Sequence, residues 1–176
     1  MQGKNSMQYW ASIVGPGRAT FNFLIIYLNC FNPSLRLKNA LYRLTGMKVG
    51  RDVSVGLMAM FDIFFPQLIS VGDNTIIGYN CTVLAHEFLR DEWRTGRVEI
   101  GSNVTIGANC TILPGVKIGD GAVVSAHSLV NRDVEPGSFV GGVPIRPLQR
   151  ATSSISNGNP IHAGGSRAAG EEEAAP

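Results

Sequence analysis

The chain has 176 residues, 44% hydrophobic, 16% charged and with 21 Gly; this suits one folded domain and excludes wholesale disorder. No apolar run reaches the roughly 18 residues of a membrane span, and three Cys without C-x-x-C spacing suggest neither a disulfide framework nor a zinc knuckle, as expected of a chain kept in the reducing cytoplasm. The net charge of +2 is unevenly placed: residues 1–51 hold seven Lys or Arg and no acid, so basicity is an N-terminal property and gives no ground for nucleic-acid binding.

Residues 1–46 read as helical. Phe21 to Cys30 predicts a short apolar helix that stops near Asn32-Pro33, because Pro disfavours helix in the residue before it. Ser34 is placed to cap a second helix in which Leu37, Leu41 and Leu44 form a stripe, and Gly46 supplies a left-handed stop. No small-residue cleavage site follows the apolar run, which disfavours a secretion signal. At the other end, residues 151–176 are rich in Ser, Gly, Asn, Ala and Pro and finish near Glu171-Glu172-Glu173, which predicts a disordered tail.

The segment 47–150 is periodic. Ile100, Ile106, Ile112, Ile118, Val124 and Val130 are β-branched aliphatics six residues apart, and Val49 with Val55, then Val71, Ile77 and Val83, keep the same interval. Chance places six Ile or Val at such spacing with a probability of ~2 × 10⁻⁵ per start, so the repeat is real. A period of six fits neither a helix nor a hairpin sheet. It fits a solenoid in which each hexad makes a strand and a corner, and three hexads close a triangular coil. The aliphatic points inward and a small residue four positions later fills the space beside it. Cys81 and Cys110 fall at that small position, which makes them core filler. Gly or Asn after the aliphatics is expected to supply corner backbone angles. Two insertions break the count, one between Val55 and Val71 and one between Val83 and Ile100. The second, with about five extra residues in Leu89–Glu99, predicts a loop projecting from one face.

The hexads, the inserted loop and the runs ILPGVKIGDGAVVSA and VNRDVEPGSFVGGVPIR resemble the hexapeptide-repeat acyltransferases, in particular the maltose and galactoside O-acetyltransferase branch. The resemblance covers residues 47–150. It implies a mainly β fold, a left-handed parallel β-helix, assembled as a homotrimer with acetyl-CoA between subunits. It implies direct acetyl transfer to a sugar or glycan hydroxyl, with His86 as general base, a task that needs a pKa near neutrality within reach of the hydroxyl. Glu87 either orients the imidazole or is a solvated loop acid. Asp62 lines the acceptor pocket, orients His86, or serves a turn before Pro66. The resemblance places Ala108 and Ala126 along the pantetheine arm and Asn131, Arg132, Arg146 and Arg150 toward the nucleotide end. His127 stands where the family has Gly, at an exposed corner or at the cofactor.

Two other functions use the same solenoid. A zinc lyase needs three His around one metal, and this chain offers only His86, His127 and the tail His162, so no metal site is expected. A non-catalytic trimeric scaffold remains open, as does N-acetylation of an amino sugar. The basic N-terminal helices either cap the open end of the solenoid or lie on an anionic membrane surface.

Overall fold

The computed structural model describes residues 3–149. Arg150, the tail expected at 151–176 and His162 lie outside the described residues. Short parallel strands stack into three sheets that form a left-handed, three-sided β-helix. Val49, Val71, Ile100 and Ile118 are register partners on the first side. Val55, Ile77, Ile106, Val124 and Val140 align on the second. Phe61, Val83, Ile112 and Val130 align on the third. These ladders form one buried core inside the prism, joined by Val53, Ala59, Cys81, Val104, Cys110 and Ala122 at the small positions. The Cys81 and Cys110 thiols are buried and donate to the Gly107 and Ser125 carbonyls, as core filler should.

The ladders correct the insertion lengths. Phe61 continues the count beyond Val55, so the first insertion lies between Phe61 and Val71 and contains the 3-10 turn Pro66–Leu68. Val83 and Ile100 are one corner apart, so seventeen residues bridge a corner that six span between Ile112 and Ile118. The excursion is therefore about twice as long as the count of five suggests. It forms an antiparallel hairpin of His86–Phe88 with Trp93–Thr95.

The glycines also have another cause. Gly after the ladder aliphatic does not adopt a left-handed angle. Its Cα sits directly over the peptide of the next coil: a Cβ on Gly78 would stand 2.7 Å from the Ala108 nitrogen. The left-handed position falls two residues later and is taken mainly by Asn74, Asn80, Asn103 and Asn109, with His127 in the same role. Their side chains form a corner ladder, with Asn80 donating to Asn109 at 2.9 Å and Asn109 to His127 Nε2 at 3.1 Å.

The N-terminal segment folds as a 3-10 turn and three helices, α1 (Trp10–Val14), α2 (Pro16–Asn29) and α3 (Leu35–Leu44). Ser34 caps α3 through the Leu37 N–H, and Gly46 has φ +96°. Of the leucine stripe, however, Leu37 and Leu44 face outward and Leu41 is half-buried. α3 buries Lys38, Asn39 and Tyr42, and α2 buries Ala19, Asn22, Ile26 and Asn29. The reason lies in the coil beneath them. In this parallel solenoid the carbonyls at the strands of each coil accept from the coil before, and the first coil has none before it. Its carbonyls are met by side chains instead. Arg43 donates to Val49 and Gly50, Asn39 to Val53, Lys38 to Val55 and Gly56, and the Cys30 thiol to Ala59. Buried carbonyls left unpaired would each cost about 1–3 kcal/mol, so a polar inner helix face is what this position requires.

Candidate active site

Two insertions at the corner after the third sheet bring Asp62 and His86 together. Asp62 follows Phe61 in the first coil, and its N–H donates to the Val83 carbonyl at 2.9 Å. His86 opens the hairpin three residues after Val83. The Asp62 side chain is fully buried, that of His86 only 15% exposed. Asp62 Oδ1 accepts from the Phe64 and Phe65 N–H groups at 2.8 and 2.9 Å, which shapes the turn before Pro66. Oδ2 accepts from the Ala85 N–H at 2.7 Å and contacts His86 Nδ1. The turn role and the orienting role thus belong to two oxygens of one carboxylate. Burial alone would raise the Asp62 pKa. The bonds from His86, Phe65 and Ala85 outweigh it and hold the carboxyl below its ordinary value of 3.8.

An ionised Asp62 takes the Nδ1–H of a neutral imidazole and leaves the lone pair on Nε2. Aromatic rings fix the plane of that imidazole. Phe64 and Phe88 meet it edge to face at centroid distances of 5.1 and 4.9 Å, and Phe65 lies at 5.9 Å. Trp93 stacks on Phe65 at 5.8 Å from the far side of the hairpin. The chain's start braces the tip: Ser6 donates through its N–H to the Arg90 carbonyl at 3.1 Å and through its hydroxyl to that of Leu89. Behind Phe64 a recess of about 210 Å³ opens, lined by Trp10, Ala19, Thr20, Phe23, Ile63 and Phe64.

Asp62 carries a pH prediction. Because its folded pKa is depressed, its contribution to stability is present above about pH 4 and is lost as pH falls through the folded value. Denaturant unfolding between pH 2 and 6 should show Asp62→Asn less stable near neutrality. Below pH 4 the variant should have the shallower slope, by up to about 1.4 kcal/mol per pH unit. Equal slopes would mean that the carboxylate is not the acid-labile group.

The other predicted site residues are distributed. Glu87 falls on the opposite hairpin face from His86 and Phe88, across from Arg94, so Asp62 and not Glu87 holds the ring. Asn131 and Arg132 sit at the His86 corner, in a later coil, because Val130 stacks above Ile112 and Val83. Arg132 donates to the Ile145 carbonyl at 2.6 Å and lines, with Arg146, a cleft of about 240 Å³ at the C-terminal end. Ala108 and Ala126 stack on a different edge of the prism, between the second and third sheets. Sequence reasoning missed the ring wall of Phe64, Phe65, Phe88 and Trp93. The alternation of His86 and Phe88, placing both on one face of a strand, was the available signal.

Comparison with known proteins agrees with this architecture. The family described as bacterial transferase hexapeptide (six repeats) matches residues 97–132. YvoF of Bacillus subtilis (strain 168), named provisionally as an acetyltransferase, is 54% identical over 147 residues, which are 83% of this chain and 86% of the relative. The solved acetyltransferase VCA0836 of Vibrio cholerae O1 biovar eltor, complexed with acetyl-CoA, superposes with a TM-score of 0.67 at 23% identity, covering 79% of this chain and 90% of its own. A galactoside acetyltransferase in complex with coenzyme A gives 0.61 at 24% identity, covering 76% and 80%. With 54% identity to YvoF over most of both chains, and with the same β-helix as the solved enzymes, the chain belongs to the hexapeptide-repeat acetyltransferase family.

Proposed function

We propose that this chain is an acetyl-CoA-dependent O-acetyltransferase acting on a sugar or glycan hydroxyl. The observation that carries the reading is the buried Asp62 holding His86 by Nδ1, which leaves Nε2 as a base. The acceptor hydroxyl gives its proton to Nε2 as its oxygen attacks the thioester carbonyl. The tetrahedral intermediate expels CoA thiolate, which recovers the proton from the imidazolium. An ester and CoA leave, and Asp62 stays ionised throughout. The aromatic wall suits the apolar faces of a sugar ring and keeps water from the thioester.

Acetyl-CoA binding fits the residues present. Arg132 and Arg146 offer guanidinium groups for its phosphates, and the small Ala108 and Ala126 leave the corner backbone open to the pantetheine arm. Ala108 and Ala126 occupy a different edge from His86, Asn131 and Arg132. A homotrimer, with one subunit's Ala108–Ala126 edge against its neighbour's His86 corner, would gather them in one cleft. Three buried, free cysteines suit a cytoplasmic setting. The test is an acceptor screen with acetyl-CoA, read by release of free thiol, with CoA titrated calorimetrically. A sugar hydroxyl acceptor and CoA binding weakened by Arg146→Ala are the expected results. Turnover confined to amino acceptors would make the enzyme an N-acetyltransferase, and absence of CoA binding would make it a scaffold.

A further inference from the structure

The polar inner faces of α2 and α3 are explained by the carbonyls they cap; their outer faces are not. α2 turns Phe21, Leu24, Tyr27 and Leu28 to the outside, with Leu28 65% exposed. Phe23, Tyr27 and Phe31 run along the same surface in ring contact at 5.4 and 5.8 Å. On α3, packed beside α2, Leu37 and Leu44 stand out two turns apart, Leu44 at 63% exposure. Arg36 borders that stripe, while Arg43, two turns on, is bound to the Val49 and Gly50 carbonyls. A helix pair with its polar face inward and its apolar face outward is the reverse of the usual arrangement at a protein surface.

We propose that this face rests on an anionic bilayer surface. The charge pattern selects that occupant. Residues 1–51 carry seven bases and no acid, and Lys4, Arg36 and Lys48 are exposed. Leu and aromatic side chains enter the headgroup boundary while the long basic side chains reach lipid phosphates at its level. A second copy laid against this face would bring Arg36 toward its own kind with no carboxylate in either helix to pair it. No helix among the described residues is long and apolar enough to cross a membrane, so the contact is peripheral. Phe23 belongs to both the outer face and the recess behind Phe64, so the surface leads toward His86. An acceptor presented at a membrane would meet the site from this side.

Deleting residues 1–46 would uncover the first coil's carbonyls, so point variants of the full chain are the suitable probe. The full chain is sedimented with phosphatidylcholine vesicles, with and without about 30% phosphatidylglycerol. Binding is expected only to the anionic vesicles, weakened by raising salt from about 0.1 to about 0.5 M. Leu24→Ser with Leu28→Ser should weaken it at least about tenfold, and Arg36→Gln to a smaller extent, with the CoA affinity and melting temperature of each variant at parental values. Equal binding by the double variant, or no binding by the parent, overturns the proposal. A double variant that instead lowers the protein's own sedimenting mass without vesicles assigns the face to a second copy.

Discussion

His86→Ala should lower kcat for acetyl transfer by about 10²–10⁴-fold while leaving CoA affinity near the parental value. The split follows from the geometry. His86 is held by Asp62 and three phenyl rings at one corner, whereas Arg132 and Arg146 line a cleft at the C-terminal end. Asp62→Asn supplies the finer test. An amide nitrogen facing Nδ1 would favour the tautomer with the proton on Nε2 and so remove the lone pair the reaction needs. Its kcat should therefore fall although His86 is present. Single-turnover thiol release and calorimetric CoA binding on both variants check this. Transfer by His86→Ala at the parental rate would remove the base assignment; loss of CoA binding in step with activity would mean that the corner had collapsed.

Gly107→Ala should cost more than about 3 kcal/mol, a fall of roughly 6–12 °C in melting temperature, although it adds a single methyl group. The new Cβ would stand 2.4 Å from the Ala126 nitrogen and 2.8 Å from its Cα. Both are backbone atoms, and no rotamer change relieves the clash. The coils cannot part to make room, because Gly107 N–H donates to Val124 and His127 N–H to Ala108 on either side of the contact. Gly17→Ala is the matched control. It lies in α2, where a Cβ meets nothing within 4 Å, and should stabilise by about 0.5–1 kcal/mol through helix propensity. Thermal unfolding of the two variants decides the matter. A Gly107→Ala protein that melts with the parent would show that the coils are not stacked at this spacing.

The repeat was legible because a solenoid writes its geometry into sequence at short range. Ile106, Ile112 and Ile118 each occupy one side of the prism, so six-residue spacing reports the sides directly. Cys81 and Cys110 could be placed by the same count. Phe61 escaped it because the ladder residue there is aromatic, and with it went the length of the first insertion; the second was undercounted because spacing alone does not say which sides Val83 and Ile100 occupy. The repeat glycines were recognised, but their cause was misread. A backbone angle and a close approach both demand Gly, and only the distance to the next coil separates them.

By itself the sequence determined the three-sided β-helix, the catalytic candidate His86 and the basic N-terminal segment. It did so because ladder positions, corner residues and charge counts are properties of near neighbours along the chain. Tertiary structure decided what Asp62 does, since 24 positions separate it from His86 and only coil stacking makes them touch. It decided that Glu87 turns away, because a hairpin alternates its faces. It also decided which way α3 faces: Leu37 and Leu44 turn outward because the first coil's open carbonyls take bonds from Lys38, Asn39 and Arg43. Hydrophobic periodicity locates an amphipathic helix, but which face is buried depends on the surface it covers.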